Sequence, residues 1–518
     1  MNRADLLSRA RDRTTPWDLV VIGGGATGAG VAVDAASRGY TVLLVERGDF
    51  GSGTSSRSTK LVHGGVRYLR QGRVQLVLDA LKERGRLRRN APHLVHSLAF
   101  VLPCYSRWER AFYGAGLTVY DLLAGHERFG RAKVASIEEV CRRLPTARVD
   151  GLRGGVVYHD GQFDDARLLI HLVRTAVDLG AVVLNYTRAV GLTRGPGGAI
   201  DGVIVQDSEN GSEWQALARV VVNAAGPFCD EVRRLADPRV APLLAASQGS
   251  HVVLRRSFLP GDSALLVPNT PDGRVLFAIP WHGHTLVGTT DVEVPTAPVE
   301  PRPTAAEIAF ILETAGRYLV RPPQRSDVLS TFAGIRPLVK ARGASTAALS
   351  RDHTIRVDDP GLLTIAGGKW TTYRRMAEDC VTRAAALAGR PRRACRTGDL
   401  PIHGHDPEAA RCGELAGYGS DVPLIRALIE VDPSLADRLH PALPYLAAEV
   451  VWAVRMEMAR TVEDVLARRL RALFLNAGAA LEMAPHVAEL MRRELGRDAD
   501  WAAEQVRTFG NVAAGYRV

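Results

Sequence analysis

The stretch Asp18-Leu19-Val20-Val21-Ile22-Gly23-Gly24-Gly25-Ala26-Thr27-Gly28 reads as a short β-branched strand running into a glycine turn. Residues 29–37 follow with the small side chains of a helix. In this pattern Gly23 permits the tight turn, Gly25 lets the backbone approach a pyrophosphate, and Gly28 lets the helix pack closely on the strand. Ala26 and Thr27 open the helix, whose first N–H groups and partial positive charge face the phosphates. A second strand, residues 41–45 (TVLLV), ends in Glu46, whose carboxylate can accept from ribose hydroxyls and disfavours a 2′-phosphate. Strand, turn, helix, second strand and terminal acid together predict a bound dinucleotide.

NAD and FAD share this pattern, so the choice rests on residues further along. Residues 220–222 (VVV) run into Asn223-Ala224-Ala225-Gly226-Pro227, and residues 362–365 (LLTI) run into Ala366-Gly367-Gly368-Lys369. Three glycine-containing strand ends this widely spaced suit an extended FAD better than a compact NAD site.

A chain of 518 residues exceeds the usual limit of one hydrophobic core, so more than one domain is expected. With 46% hydrophobic and 24% charged residues, wholesale disorder is excluded. Six cysteines (Cys104, Cys141, Cys229, Cys380, Cys395, Cys412) contain no C-x-x-C pair, which argues against a metal knuckle or disulfide framework; no metal is expected. The first fifteen residues lack the apolar centre of a secretory signal, and no apolar run reaches membrane-spanning length, so a cytoplasmic protein is expected. The net charge of +10 favours anionic partners, a substrate or lipid surface, and no nucleic-acid motif accompanies it.

The block Thr54-Ser55-Ser56-Arg57-Ser58-Thr59-Lys60-Leu61-Val62-His63-Gly64-Gly65-Val66-Arg67-Tyr68-Leu69 resembles the S-S-x-S-x-K-L-x-H-G-G-x-R-Y-L block of the flavin-linked glycerol-3-phosphate dehydrogenases and related oxidases. The resemblance continues in order through residues 158–169, Gln248–His251, 279–281, Gly288–Asp291, Gly334–Leu338, 350–353 and Gly367–Arg374. It departs at Arg57, where a small residue is common, at Gln248, where lysine often stands, and at Trp370, in place of an aliphatic residue.

The resemblance implies a mixed α/β and α+β fold, in which a Rossmann-like FAD domain is interleaved with an antiparallel-sheet substrate domain. The expected division is an extension over 1–16, an FAD domain over about 17–90, 150–240 and 330–394, a substrate domain over about 91–149 and 241–329, and a helical C-terminal domain over 395–518. The implied reaction is oxidation of sn-glycerol 3-phosphate to dihydroxyacetone phosphate, with hydride transfer to flavin N5 and electrons passed to a membrane quinone. The rivals are an oxidase that uses oxygen and a related amine or amino-acid oxidase.

Such chemistry needs a base, charge stabilisation and a handle on the phosphate. A planar guanidinium binds phosphate bidentately, and by resemblance Arg67 and Arg336 are the phosphate candidates, with Tyr68 beside them and Arg351 assisting. His63, between an apolar pair and two glycines, is the nominated base, and His251 competes with it. Lys369 is expected at the flavin or the phosphate. Taken alone, each arginine reads as an ion-pair partner and each histidine as a core residue. Beyond Gly23, Gly25, Ala26, Thr27, Gly28 and Glu46, the implied cofactor contacts are Thr54, Ser55, Ser58, Lys60, His63, Gly64 and Gly65. Ala225, Gly226, Gly334, Gly368, Lys369, Thr371 and Thr372 complete them.

Lys82, Arg84, Arg86, Arg88 and Arg89 follow an apolar run over 74–81, a composition suited to an amphipathic element on anionic lipid. Peripheral attachment to the inner face of the cell membrane is expected largely from the resemblance, and a homodimer is among the assemblies it allows.

Overall fold

The computed structural model describes residues 1–66, 69, 72–268, 270, 273–340 and 353–518. Among these, eight strands form one sheet and ten form another. The first sheet is parallel at its centre. The strand Trp17–Ile22 lies between Val42–Val45 and Glu213–Asn223, and Leu362–Gly367 pairs with the far side of Glu213–Asn223. All three glycine turns therefore leave one edge of the sheet side by side. The continuous apolar run at Leu19, Val20 and Val21 is fully buried, as expected where helices cover both faces of a parallel sheet.

Gly23 takes φ +115°, and a Cβ there would sit 2.6 Å from the carbonyl oxygen of Ala224, so the turn and the neighbouring strand end require glycine. The helix that follows, Ala26–Ser37, packs against Tyr373–Leu387 and Asp165–Asp178.

The second sheet is largely antiparallel. Leu244–Arg255 pairs with Val328–Val339 over eleven registered positions, with Ser247 opposite Arg336 and His251 opposite Phe332. Val95–Pro103, Gly155–Phe163 and the short Leu61–Val62 extend the same sheet, which brings the histidine-glycine block beside it.

Helices Val422–Val431, Ala447–Glu457, Ala477–Leu495 and Ala499–Ala513 build the C-terminal region. It is pinned to the cofactor region by buried ion pairs: Asp49 with Arg468 (2.5 Å) and Arg469 (2.5 Å), Arg167 with Glu457, and Arg471 with Asp165 (3.2 Å). Burial opposes the Asp49 charge, but Arg469 and Arg468 overcome it and hold the carboxyl below its ordinary value. Such a group contributes stability above the unfolded pKa of about 3.9 and loses it as pH falls through the lower folded value. Asp49→Ala should cost about 1.5–3 kcal/mol through its lost charged hydrogen bonds, since Arg468 keeps Glu463 (2.6 Å) and Asp464 (2.7 Å) and Arg469 keeps the Glu457 carbonyl (2.7 Å). A denaturant midpoint equal to that of the parent protein would contradict this.

No helix among the described residues is long and apolar enough to cross a membrane. The expected lipid-binding element does not form as read. In the helix Val74–Asn90, Arg84 is buried against Asp160 (2.6 Å), Arg86 pairs with Glu83 (2.6 Å), Arg89 pairs with Glu127 (2.5 Å), and Arg88 lies 4.3 Å from the Phe129 ring. Arg84 is thus buried and Arg86, Arg88 and Arg89 are engaged by neighbouring side chains, while Lys82 and Arg89 stay exposed. The exposed apolar surface lies instead on the next helix, Arg107–Ala124, where Trp108 is 71% and Leu122 68% exposed, with Phe112 and Val119 on the same side.

Candidate active site

A cavity of about 770 Å³ opens where the glycine-turn edge of the parallel sheet meets the antiparallel sheet. His63, His251, Arg336 and Lys369 all line it, together with Thr54, Ser58, Gly65, Gly334, Gly368 and Thr371. Arg67, Tyr68 and Arg351 lie outside the described residues.

His63 follows the strand Leu61–Val62 and is half-buried. Its backbone N–H donates to Thr371 Oγ1 at 3.2 Å, which joins the histidine block to the third glycine turn. The next residue is held from the other side: Gly64 N–H donates to Tyr120 Oη (2.8 Å), and Tyr120 donates to Asp160 (2.8 Å), the partner of Arg84. The loop carrying His63 is thus fixed at both flanks while the imidazole reaches the cavity.

His251 sits deeper. Its ring stacks on Phe332 at 4.7 Å, its Nε2 meets Thr59 Oγ1 at 2.9 Å, and 2% of the residue is exposed. Burial, with the charges of Lys60 and Arg336 adding to it, pushes the pKa well below the ordinary histidine value, so the ring is neutral.

Arg336 reaches the cavity beside Gly249, where a Cβ would collide with the guanidinium. Its Nη2 donates to Thr290 O (3.0 Å) and Thr289 Oγ1 (3.2 Å), and Nη1 faces Asp291 (3.5 Å). The guanidinium is held in one orientation, the condition for bidentate recognition of an oxyanion.

At the dinucleotide end, Glu46 accepts from Gly24 N–H (2.7 Å) and Gly48 N–H (2.9 Å), one bond on each oxygen, so each keeps acceptor capacity. Gly25 is the extended residue before the helix, with no side-chain cap. Ser55 Oγ accepts from Ala26 N–H at 2.9 Å, so Ser55 braces the helix start. Ala225 and Gly226 lie just past the strand Glu213–Asn223, whose Asn223 registers with Ile22. Glycine turn, carboxylate and helix start match the requirements of an adenine dinucleotide, and Lys369 beyond the third turn lines the cavity where the rest of an extended FAD would end.

Lys60 departs from expectation. Its side chain is fully buried, donating to Asp165 (2.7 Å) and Ser56 O (2.8 Å) beneath Trp281, Phe332 and Phe474, and burial pulls its pKa down to about 7. It anchors the block from behind and does not line the cavity. Ser58 likewise spends its hydroxyl on Asp165 (2.7 Å), and Thr372 donates to Lys369 O (3.3 Å) within the turn. Thr59 and Asp291, which contact His251 and Arg336, were not singled out by sequence. Asp291 ends the Gly288–Asp291 block, but nothing in its spacing marks it as the neighbour of an arginine 45 residues on.

Comparison with known proteins agrees with this architecture. Residues 18–374 match the family model described as FAD dependent oxidoreductase, and residues 363–502 match the C-terminal domain of alpha-glycerophosphate oxidase. A probable mitochondrial glycerol-3-phosphate dehydrogenase of Caenorhabditis elegans is 40% identical over 99% of this chain and 76% of its own length. A mitochondrial glycerol-3-phosphate dehydrogenase of Arabidopsis thaliana is 41% identical over 94% of this chain and 84% of its own. The crystal structure of a glycerol-3-phosphate dehydrogenase from Bacillus halodurans complexed with FAD superposes with a TM-score of 0.81 at 30% identity, covering 99% of this chain and 97% of that one. The chain belongs to the FAD-dependent glycerol-3-phosphate dehydrogenase family.

Proposed function

We propose that this enzyme oxidises sn-glycerol 3-phosphate to dihydroxyacetone phosphate and passes the electrons to a membrane quinone. The observation that carries the reading is the convergence of His63, Arg336 and Lys369 on one cavity at the glycine-turn edge of the sheet. FAD, when bound, supplies the hydride acceptor at flavin N5. Arg336 holds the phosphate, His63 takes the proton from the C2 hydroxyl, and Lys369 places a positive charge where negative charge develops. His251, neutral and bonded to Thr59, orients that hydroxyl and leaves the base role to His63. Arg67 and Arg351 join the phosphate site by sequence pattern alone.

Two features support a lipid-soluble acceptor. The cavity continues between apolar walls, Phe112, Leu117, Val119, Leu266 and Phe277, and Phe112 and Val119 belong to the helix that exposes Trp108 and Leu122. Arg107, next to Trp108, and Arg128 and Arg131, which follow the helix in sequence, are exposed, and exposed cations on such an apolar helix suit a peripheral element on anionic lipid. Each large apolar side chain contributes about 1.5–3 kcal/mol on burial, so Trp108→Ser with Leu122→Ser should weaken binding to phosphatidylglycerol-containing vesicles by roughly tenfold or more. Co-sedimentation unchanged in the double variant would remove this surface from the account.

A steady-state assay with glycerol 3-phosphate and a soluble quinone tests the whole reading. Dihydroxyacetone phosphate should accumulate, with inorganic phosphate as a competitive inhibitor. Stoichiometric peroxide at a rate indifferent to quinone would make oxygen the acceptor, and turnover of glycine or proline in place of glycerol 3-phosphate would overturn the substrate.

A further inference from the structure

Arg336 does not stand alone at its end of the cavity. Arg274 and Asp291 line the same wall, and the three side chains form one chain of contacts. Asp291 faces Arg336 Nη1 through Oδ1 (3.5 Å) and Arg274 Nη1 through Oδ2 (3.1 Å). Arg274 Nη1 also donates to the backbone carbonyl of Asp291 at 2.5 Å, and Ser247, directly opposite Arg336 across the strand pair, donates its hydroxyl to Oδ1. Arg274 itself is tied to Thr270: its N–H donates to Thr270 Oγ1 (2.9 Å) and its carbonyl accepts from Thr270 N–H (3.0 Å).

The consequence for Arg336 is geometric. The two bonds from Arg274 fix both the carbonyl and the carboxylate of Asp291, and so fix the 289–291 turn. That turn supplies Thr289 Oγ1 and Thr290 O, the acceptors that aim Arg336 Nη2. A guanidinium on a long side chain loses bidentate recognition with small errors of placement. We propose that Arg274 and Asp291 are a positioning pair that orients Arg336 toward the phosphate of the substrate. This inference rests on the proposed substrate and assigns a role to two residues outside its catalytic set.

Two kinds of role are separable by the sign of the effect. If Asp291 only offset positive charge, Asp291→Asn would leave a more electropositive wall and tighten phosphate binding. If it positions Arg336, Asp291→Asn raises KM. Kinetics with glycerol 3-phosphate and inhibition by inorganic phosphate are measured on FAD-loaded parent enzyme, Arg274→Ala, Arg274→Lys and Asp291→Asn. The expected result is a KM and a phosphate inhibition constant raised roughly tenfold or more in Arg274→Ala and Asp291→Asn, with kcat within about threefold and Arg274→Lys intermediate. A KM unchanged or lowered in Asp291→Asn, or a loss of kcat without change in KM in Arg274→Ala, would overturn the pairing. Should one variant fail to retain FAD, the Arg274→Lys constants decide, because values equal to those of the parent enzyme while inorganic phosphate still competes would also overturn it. A parent enzyme that does not oxidise glycerol 3-phosphate would instead sink the proposed function.

Discussion

His63→Ala should slow reduction of the bound flavin by glycerol 3-phosphate by about 10²–10⁴-fold, the usual contribution of a positioned proton acceptor. The loop that carries His63 is held by backbone bonds to Thr371 and Tyr120, neither of which uses the imidazole, so truncation leaves both of those bonds in place. His251 is expected to be the poorer proton acceptor of the two. His251 is buried against Phe332 with its pKa far below the ordinary value, which makes it a weak proton acceptor. Its removal should perturb Thr59 and slow the reaction less. Rapid-mixing absorbance of both variants checks this, and equal or reversed losses would move the base to His251.

Arg336→Ala should act on binding. Hydrogen bonds to charged groups contribute about 1.5–3 kcal/mol each, so loss of a bidentate phosphate contact should raise KM by roughly 10²–10⁴-fold. The FAD content should be unchanged, because the guanidinium is held by Thr289, Thr290 and Asp291 beside the antiparallel sheet. Arg336→Lys should recover little, since an ammonium is a point charge without the planar fork. A KM within twofold of the parent value in the alanine variant would place the phosphate elsewhere.

Much of the fold was legible because its signals are local. The VVI run at 20–22, the glycine turn and the strands ending at Asn223 and Gly367 follow from β-branched runs stopped by glycine, and the sheet places them as parallel neighbours. The convergence of His63, His251, Arg336 and Lys369 followed only from ordered resemblance, since no spacing in the chain links a residue at 63 to one at 369.

What was misread has partners remote in sequence. Lys60 looked like a cofactor contact until Asp165, over a hundred residues on, took its ammonium. Arg84 and Arg88 looked like a basic stripe, yet they share the buried helix face of Val77 and Leu81 and are satisfied by Asp160 and Phe129. Helical periodicity shows which residues share a face but not which face is covered. The exposed Trp108 and Leu122 are the converse: large apolar side chains on one helix face that is left outside.

The central claim is that a glycerol 3-phosphate site adjoins the flavin. Anaerobic mixing of the FAD-loaded protein with glycerol 3-phosphate tests it most directly. The flavin absorbance band should bleach within a single turnover, with one dihydroxyacetone phosphate formed per flavin; an oxidised spectrum that persists at saturating glycerol 3-phosphate would contradict the account.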